Sequence, residues 1–234
     1  MAATPSTPSP SPSPVKFVRF NPESKLEVDE LTRQRIICGW GADKIDLWLD
    51  LIARDVRNLY WIFPLRPEEY PLPDLESINP QVVVEGAETM GPSPVDEGFR
   101  PLGHVAIDWE DYYGDTSLAD KEAKVVTLAT FFIMPSQQGK KLGSVVMQEM
   151  EALAVKDLDA VAITLSTIDG ECASQPAWWE KQGVKWSPSL RINEHWYDRI
   201  GYKAYKRGIP RYPYKDVDGS DGLLECVMMR KELR

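Results

Sequence analysis

The chain has 234 residues, of which 43% are hydrophobic and 27% are charged, and its formal net charge at pH 7 is −9. This length and composition are those of an ordinary globular domain that can bury a sizeable core. The negative charge argues against nucleic acid as the main partner. No stretch approaches the roughly 18 apolar residues of a membrane helix, so we expect no membrane insertion.

Two compositional features bear on organisation and compartment. Residues 1–14 are almost wholly Ala, Thr, Ser and Pro and lack the pattern of a secretory signal, so we predict a disordered tail before a single domain over residues 15–234. Cys38, Cys172 and Cys226 are odd in number and widely spaced, which predicts neither a disulfide framework nor a metal site. We expect a cytoplasmic protein without bound metal that is a monomer or a homodimer.

The first half of the chain predicts a strand and two helices, followed by further strands. Apolar residues recur every three to four positions over residues 43–57, which is typical of an amphipathic helix. Five prolines between residues 64 and 80 predict a loop. The remaining predicted elements are a strand over residues 17–20, a helix over 29–37, a strand over 58–63, and two antiparallel strands over 81–85 and 103–109.

The second half alternates strands and helices. We predict a central apolar strand over residues 125–134, a helix over 140–156, a strand over 160–167, a short helix over 193–200 and closing strands over 202–205 and 223–230. Gly201 is a typical residue for the end of the short helix. The whole pattern predicts an α/β protein with a mixed antiparallel and parallel sheet and helices on both faces.

The junction between the central strand and the helix that follows it carries the most specific pattern. It reads Phe131-Phe132-Ile133-Met134-Pro135-Ser136-Gln137-Gln138-Gly139-Lys140-Lys141-Leu142-Gly143-Ser144. The N-terminus of a helix offers unpaired N–H groups and a partial positive charge, which suit a phosphate group. Gly139 and Gly143 would allow close approach to the backbone, and Lys140 and Lys141 would add positive charge.

This order resembles motif A of the GNAT superfamily of acyl-CoA N-acyltransferases, in which the turn holds the pyrophosphate of coenzyme A. The resemblance implies that Gln138 and residues 139–144 contact the pyrophosphate. It also implies that the backbones of Phe131, Phe132 and Ile133 contact pantetheine where the central strand separates from the next strand. Aligned on Gln138 and Gly143, Lys141 stands where the family has glycine. An ordinary strand-to-helix loop is the alternative for this segment taken alone.

A second resemblance lies at the end of the short helix, in Tyr197-Asp198-Arg199-Ile200-Gly201-Tyr202. GNAT proteins often end their fourth helix in this way, and their tyrosine protonates the departing thiolate. The resemblance therefore implies a catalytic Tyr197, and a phenol suits the role as a neutral proton donor. A core tyrosine before a helix-ending glycine is the alternative. Asn193 is either a displaced cofactor contact or, as we prefer, the helix N-cap.

Aromatic residues on two segments are candidates for binding the acceptor. Trp178 and Trp179 lie in an insert over residues 169–192, longer than compact GNAT members have, and they form either an acceptor wall or lid or a satellite core. Tyr212 lies in a second segment, over residues 208–222. The acidic residues of that segment suit a primary amine and are Asp216, Asp218 and Asp221.

An attacking amine must lose a proton, so a carboxylate or a water chain is expected near it. Asp108, at the end of the strand over residues 103–109, is our candidate general base, with Glu110 and Asp169 as alternatives. His104 is a further polar residue of this strand. A histidine whose hydrogen bonds are satisfied within the sheet explains it equally well as a role in catalysis.

Together the resemblances imply a GNAT fold and an N-acetyltransferase. Such an enzyme transfers the acetyl group of acetyl-CoA to a primary amine of a small molecule or peptide by direct attack, mainly by positioning the two substrates. A non-catalytic GNAT-like module that binds acyl-CoA or a protein is the alternative, and transfer to a hydroxyl or an amino sugar is a third possibility.

Overall fold

The computed structural model describes residues 13–70, 99–181, 185–187 and 190–234. The predicted tail, apart from residues 13 and 14, and the strand predicted over residues 81–85 lie outside the described residues. The proline-rich loop is described only as far as Tyr70.

Seven strands and six helices are present in the described residues. In chain order they are β1 (Val15–Arg19), α1 (Lys25–Cys38), α2 (Ile45–Ala53), β2 (Arg57–Pro64), β3 (Gly103–Asp108), β4 (Val125–Ile133), α3 (Leu142–Leu158), β5 (Ala162–Ile168), α4 (Gly170–Ala173), α5 (Pro176–Lys181), α6 (Asn193–Arg199), β6 (Lys203–Lys215) and β7 (Asp221–Glu232).

The strands form one sheet in the order β1-β2-β3-β4-β5-β7-β6. β4 and β5 are parallel, and all other neighbours are antiparallel, which confirms the predicted mixed sheet. Successive residues of a strand point to opposite faces. On β2, Tyr60 and Ile62 pack into the cluster that contains α3, whereas Leu59 and Trp61 pack into the cluster that contains α1 and α2. Helices therefore cover both faces, as predicted.

Several element boundaries differ from the sequence prediction. α1 begins four residues early because Ser24 caps it, accepting a hydrogen bond from the Glu27 N–H. α2 ends at Ala53, since Arg57 already belongs to β2. β6 is far longer than the predicted strand over residues 202–205. It tolerates Pro210 and Pro213 because it is the edge strand, where a missing N–H leaves no partner unpaired.

No helix in the described part of the chain is long and apolar enough to span a membrane. Over the same residues, no three His, Cys, Asp or Glu side chains are grouped so that they would hold a metal ion.

Candidate active site

β4 and β5 lie side by side over only the first part of their length. Val125–Leu128 pairs with Ala162–Leu165, and the register stops there. β4 nevertheless continues to Ile133 and β5 to Ile168. The two central strands thus separate after Leu128, and their ends leave backbone groups that a ligand would be able to meet.

A β-bulge marks the point of separation on the other side of β4. Ala106 pairs with Thr130 and Ile107 pairs with Leu128, so Ala129 has no opposite residue on β3. Ala129 is also exposed, although it lies in a central strand. Its backbone therefore stands free of the sheet pairing at the place where the strands part.

The turn between β4 and α3 presents its backbone to solvent. Residues 138–141 are exposed, and the Gln138 side chain donates to the Ile133 carbonyl at 2.9 Å, which closes the turn. α3 has no side-chain cap, and Lys141 at its N-cap has φ +61° and ψ +7°. Gly139 has φ +82°, and the Arg191 guanidinium lies 3.8 Å from the position that a Cβ on Gly139 would occupy. The uncapped N–H groups and these cations suit an anionic group.

The other predicted cofactor contacts surround this turn. The Lys140 ammonium donates to the Gln137 side chain at 2.8 Å and lies 5.9 Å from the centre of the Tyr70 ring. Leu142 is buried, while Ser144 is half-buried. A Cβ on Gly143 would lie 3.2 Å from the Trp196 ring, so the α3–α6 contact depends on this glycine.

Trp196 also stacks on Phe131, with ring centroids 6.0 Å apart, whereas Phe132 and Ile133 are buried. Asn193 is the first residue of α6 rather than its N-cap, which is Ile192, so the preferred capping role was wrong. The Asn193 side chain is exposed.

Tyr197 lies on α6 against the core, with its ring 4.7 Å from Trp196 and 5.7 Å from Tyr202. The side chain is buried, and its hydroxyl has no hydrogen-bond partner among the described residues. Burial, followed by the electrostatic influence of Tyr212, raises the pKa of Tyr197 well above its usual value. The phenol is therefore held protonated, and its proton is not committed to another residue.

A cleft of about 160 Å³ opens beside the separation of β4 and β5. It is bounded by α1, α2 and the segment between them, by β2 to β6, and by the segment after β3. The residues that line it are Arg35, Trp40, Gly41, Lys44, Trp48, Arg57, Asp108, Glu110, Asp111, Tyr112, Tyr113, Thr127, Leu128, Ala129, Ser166, Arg211 and Tyr212. Ala129 and Ser166 each follow the last residue of the parallel pairing, so the cleft reaches the point where the strands part.

Two buried ion pairs lie in the cleft wall. The Arg57 guanidinium donates to Asp108 from Nε at 3.1 Å to each carboxylate oxygen and from Nη2 at 2.7 Å to Oδ2. Burial raises the pKa of Asp108, and Arg57 opposes that shift. Arg211 donates to Asp111, and both side chains are buried. Arg57 Nη1 and Arg211 Nε have no acceptor among the described residues.

Arg35 is a third buried arginine in the cleft wall. It donates to the Trp40 carbonyl at 2.6 Å and to the Thr130 hydroxyl at 3.1 Å. Its Nη1 also lies 3.4 Å from His104 Nε2, while His104 Nδ1 lies 2.8 Å from Gln34 Oε1. Burial, with help from the neighbouring arginines, lowers the pKa of His104 well below 6.5. The histidine is therefore neutral, donating from Nδ1 and accepting at Nε2.

The predicted acceptor and base residues divide into two groups. Asp108 and Tyr212 line the cleft, and the Tyr212 and Ser166 hydroxyls lie 2.5 Å apart. Trp178 and Trp179 do not line it; their rings contact each other on α5, and the Trp179 indole donates to the Ala173 carbonyl at 2.6 Å. Asp169 caps α4 and pairs with Arg207. The acidic residues Asp216, Asp218 and Asp221 lie at or beside the turn between β6 and β7, away from the cleft wall; Asp216 is half-buried and the other two are exposed.

Most of the cleft wall was not predicted, including Arg35, Arg57 and its tryptophans, whereas Arg211 lies in the segment over residues 208–222 that was predicted as an acceptor wall. Arg35 lies on the helix predicted over residues 29–37, Trp48 lies on the amphipathic helix predicted over residues 43–57, and Arg57 was assigned to the end of that second helix. One feature of the sequence could have indicated these residues. Arg57 and Asp108 are charged, and each stands at the end of an otherwise apolar strand.

No protein-family model and no curated protein matches the sequence. Solved structures match the fold. Spermidine N-acetyltransferase SpeG from Vibrio cholerae, in complex with coenzyme A and spermine, superposes with a TM-score of 0.53 at 10% identity, over 94% of this chain and 96% of that chain. A chimera of the same enzyme gives 0.54 at 10% identity, with the same two shares covered. An aminoglycoside 6′-N-acetyltransferase complexed with coenzyme A gives 0.52 at 10% identity, over 94% and 97%.

These neighbours are acetyltransferases of the GNAT superfamily, so the predicted GNAT fold is confirmed. At such low identity the likeness concerns the fold alone.

Proposed function

We propose that the protein is an acetyl-CoA-dependent N-acetyltransferase that acts on a primary amine by direct attack, in a cytoplasmic setting suited to its three free thiols. The observation that carries the proposal is the separation of β4 from β5 after Leu128, with an anion-compatible turn near one end and a cleft beside it. Two substrates that enter from these two sides would meet at Ala129 and Ser166.

The turn at the start of α3 would hold the pyrophosphate of coenzyme A. Its support is the uncapped helix N-terminus together with the exposed backbone of Gly139 and its neighbours. Lys140, Lys141 and Arg191 would add charge at the rim. The free edges of β4 after Leu128 would accept the amide groups of pantetheine as a short additional strand.

Proton transfer would involve Tyr197 as the acid. Its phenol is protonated at neutral pH and would donate to the thiolate as the thiol departs, although the raised pKa makes it a weaker acid than a solvent-exposed tyrosine. Asp108 remains our candidate base, but both of its oxygens accept from Arg57, and a water between it and the amine would have to relay the proton. The C–N bond would form and the C–S bond break, while the amine loses a proton to the base and the sulfur gains one from Tyr197. Solvent would then return a proton to Tyr197 and take one from the base.

Amine-dependent release of the thiol of coenzyme A tests this function. The enzyme is mixed with acetyl-CoA and a panel of amines, and free thiol is measured together with the acetylated product. We expect thiol release that depends on both the enzyme and the amine. Tight binding of acetyl-CoA with no release for any amine would contradict transferase activity.

A second candidate, binding of acyl-CoA without transfer, is supported by the engaged state of Asp108, which leaves no free carboxylate oxygen on that residue. The same panel separates the two functions, since a binding module gives a melting shift with acetyl-CoA but no product. At about 100 times its dissociation constant, a ligand contributes about 2.7 kcal/mol to the stability of the fold.

A further inference from the structure

We propose that the acceptor amine carries a carboxylate, which Arg35 binds in the cleft; an α-amino acid has this chemistry. The inference rests on the proposed function and names its substrate class. It departs from our expectation that the acidic residues between β6 and β7 attract a simple cationic amine, since those residues are not in the cleft wall.

The charges of the cleft wall favour an anion. Its cations are Arg35, Lys44, Arg57 and Arg211, and its acids are Asp108, Glu110 and Asp111. Arg57 and Arg211 are each paired with one buried aspartate, and Glu110 pairs with Arg54 outside the wall. In the described part of the chain no carboxylate lies within 4.0 Å of the Arg35 guanidinium. The cleft therefore keeps an excess of positive charge, although the whole chain carries −9.

Arg35 is only 6% exposed, so its unpaired charge is expensive to keep. Its hydrogen-bond partners are a backbone carbonyl, a hydroxyl and a neutral histidine, none of which carries a negative charge. A buried cation without a counter-charge is a feature of sites that receive the counter-charge from a ligand. A carboxylate is the group that an arginine fork binds best, alongside phosphate.

Most aromatic rings of the cleft already contact one of the protein's own cations. The guanidinium carbons of Arg57 and Arg35 lie 4.5 and 5.1 Å from the centre of the Trp48 ring. Arg211 covers Tyr113 at 4.6 Å, and Lys44 covers Tyr112 at 5.0 Å. A ring face that already contacts a cation has less attraction for a second one. A polyamine would therefore find most of the carboxylates and most of the aromatic rings of the cleft already engaged.

The position of Arg35 matches the geometry of an α-amino acid. Its Nη1 donates to Thr130, the residue after Ala129, and adjacent Cα atoms are about 3.8 Å apart. Because the amine and the carboxylate of an α-amino acid share one carbon, a carboxylate at Arg35 would leave the amine close to Ala129, where the strands part. The neighbouring cations would also lower the pKa of the amine, which favours the neutral form that attacks.

Matched amines test the inference. Transfer from acetyl-CoA is measured with phenylalanine, phenylalanine amide, phenethylamine and spermidine. We expect kcat/KM to be highest for phenylalanine, by about 10- to 100-fold over the amide, since a hydrogen bond to a charged group is at stake. The amide has the less basic amine, so the difference in basicity works against this expectation.

A charge-removing variant locates the carboxylate. Arg35→Met should raise KM for phenylalanine by about tenfold or more and leave KM for the amide nearly unchanged. Arg35→Lys, which keeps the charge but loses the fork, should fall between the two. Arg19→Met, on β1 at the far edge of the sheet, is the matched control and should change neither constant. Circular dichroism and melting establish that each variant is folded.

Calorimetry on the unaltered protein gives a readout that depends on no variant. N-acetylphenylalanine should bind at least about tenfold more tightly than its amide, and equal affinities would overturn the carboxylate site. Faster turnover of phenylalanine amide, phenethylamine or spermidine would overturn the inference while leaving the transferase function intact. Failure of every amine to react while acetyl-CoA binds would overturn the proposed function, and calorimetry would then decide the carboxylate site separately.

Discussion

Arg57 and Asp108 form a buried, bidentate ion pair in the wall of the cleft, although they are 51 residues apart in sequence. They face each other because β2 and β3 are antiparallel, with Arg57 and Asp108 as register partners. Both carboxylate oxygens of Asp108 accept hydrogen bonds from Arg57. A structural role in this pair and a catalytic role as a base would therefore compete for the same two oxygens.

Asp108→Asn is expected to lower the free energy of unfolding by about 3–5 kcal/mol, because it leaves the Arg57 charge buried and unpaired. Chemical denaturation measures the loss. Asp55→Asn is the matched control, since Asp55 is 77% exposed and lies 3.8 Å from Arg19, and it should cost less than about 1 kcal/mol. The double variant Arg57→Met/Asp108→Leu should recover most of the loss. A cost below about 1 kcal/mol for Asp108→Asn would show that the pair adds little stability and leaves Asp108 free to act as a base.

Lys141→Gly is expected to leave stability unchanged or to raise it by up to about 1 kcal/mol. Lys141 adopts the left-handed conformation, which costs a non-glycine residue about 1 kcal/mol, and glycine would remove this strain while adding disorder to the unfolded chain. Lys140→Gly is the control, because Lys140 has negative φ and should lose about 0.5–1 kcal/mol. Thermal unfolding that shows equal losses in both variants would contradict the strain at Lys141.

The sequence predicts much of this fold for physical reasons that are local. β4 and β5 follow from their apolar, β-branched runs, and the end of α6 follows from Gly201, which has φ +101°. The order of strands and helices predicts a mixed sheet with helices on both faces, because a helix that joins two parallel strands covers a face of the sheet. The turn before α3 is likewise local, because its glycines and lysines are adjacent in sequence.

The cleft wall is not predictable in this way. Arg35 meets Thr130 across 95 residues, and no local pattern indicates that contact. β6 was predicted too short, because Gly208 and two prolines interrupt its pattern, and only the sheet order reveals that it is an edge strand. The excess of cations in the cleft depends on which arginines pair with aspartates. These ion pairs join residues that are distant in sequence, so the sequence does not reveal them.

His104 should make stability fall on the acid side. Burial lowers its folded pKa below 6.5, so the unfolded chain takes up the proton first. This contribution is complete above about pH 6.5 and is lost as the pH falls below that value, at up to about 1.4 kcal/mol per pH unit. Denaturation curves from pH 8 to about pH 5 would measure it. His104→Gln should have a shallower slope over that range, and identical slopes for the two proteins would contradict the neutral, buried histidine.

Tyr197→Phe keeps the ring and its packing but removes the proton that the side chain can donate. Turnover should fall by about 10²–10⁴-fold, with the lower end expected because water can also protonate a thiolate, while the affinity for acetyl-CoA stays close to that of the parent. Because burial raises the pKa of Tyr197, its phenol should cause no loss of kcat on the alkaline side up to about pH 10. A fall in kcat between about pH 8 and pH 9 that disappears in the Phe variant would contradict the raised pKa.

Tyr202→Phe is the matched control for Tyr197→Phe. Tyr202 is a second buried tyrosine in contact with Tyr197, and its hydroxyl has no partner among the described residues. Removing that hydroxyl should leave turnover within about twofold of the parent value. An equal loss in both variants would indicate a packing effect on α6 rather than proton donation.

The central claim, acetyl transfer to an amine held where β4 and β5 part, is tested most directly by the mass of the product in a single turnover. The enzyme, in excess, is mixed with acetyl-CoA and phenylalanine, and the quenched mixture is analysed for free coenzyme A, acetylated amine and acetylated protein. The account predicts equal amounts of coenzyme A and N-acetylphenylalanine, no acetylated protein at any time, and a much slower reaction in Tyr197→Phe. Acetyl-CoA that stays intact in the presence of every amine, or an acetyl group found on the protein before it reaches the amine, would contradict it.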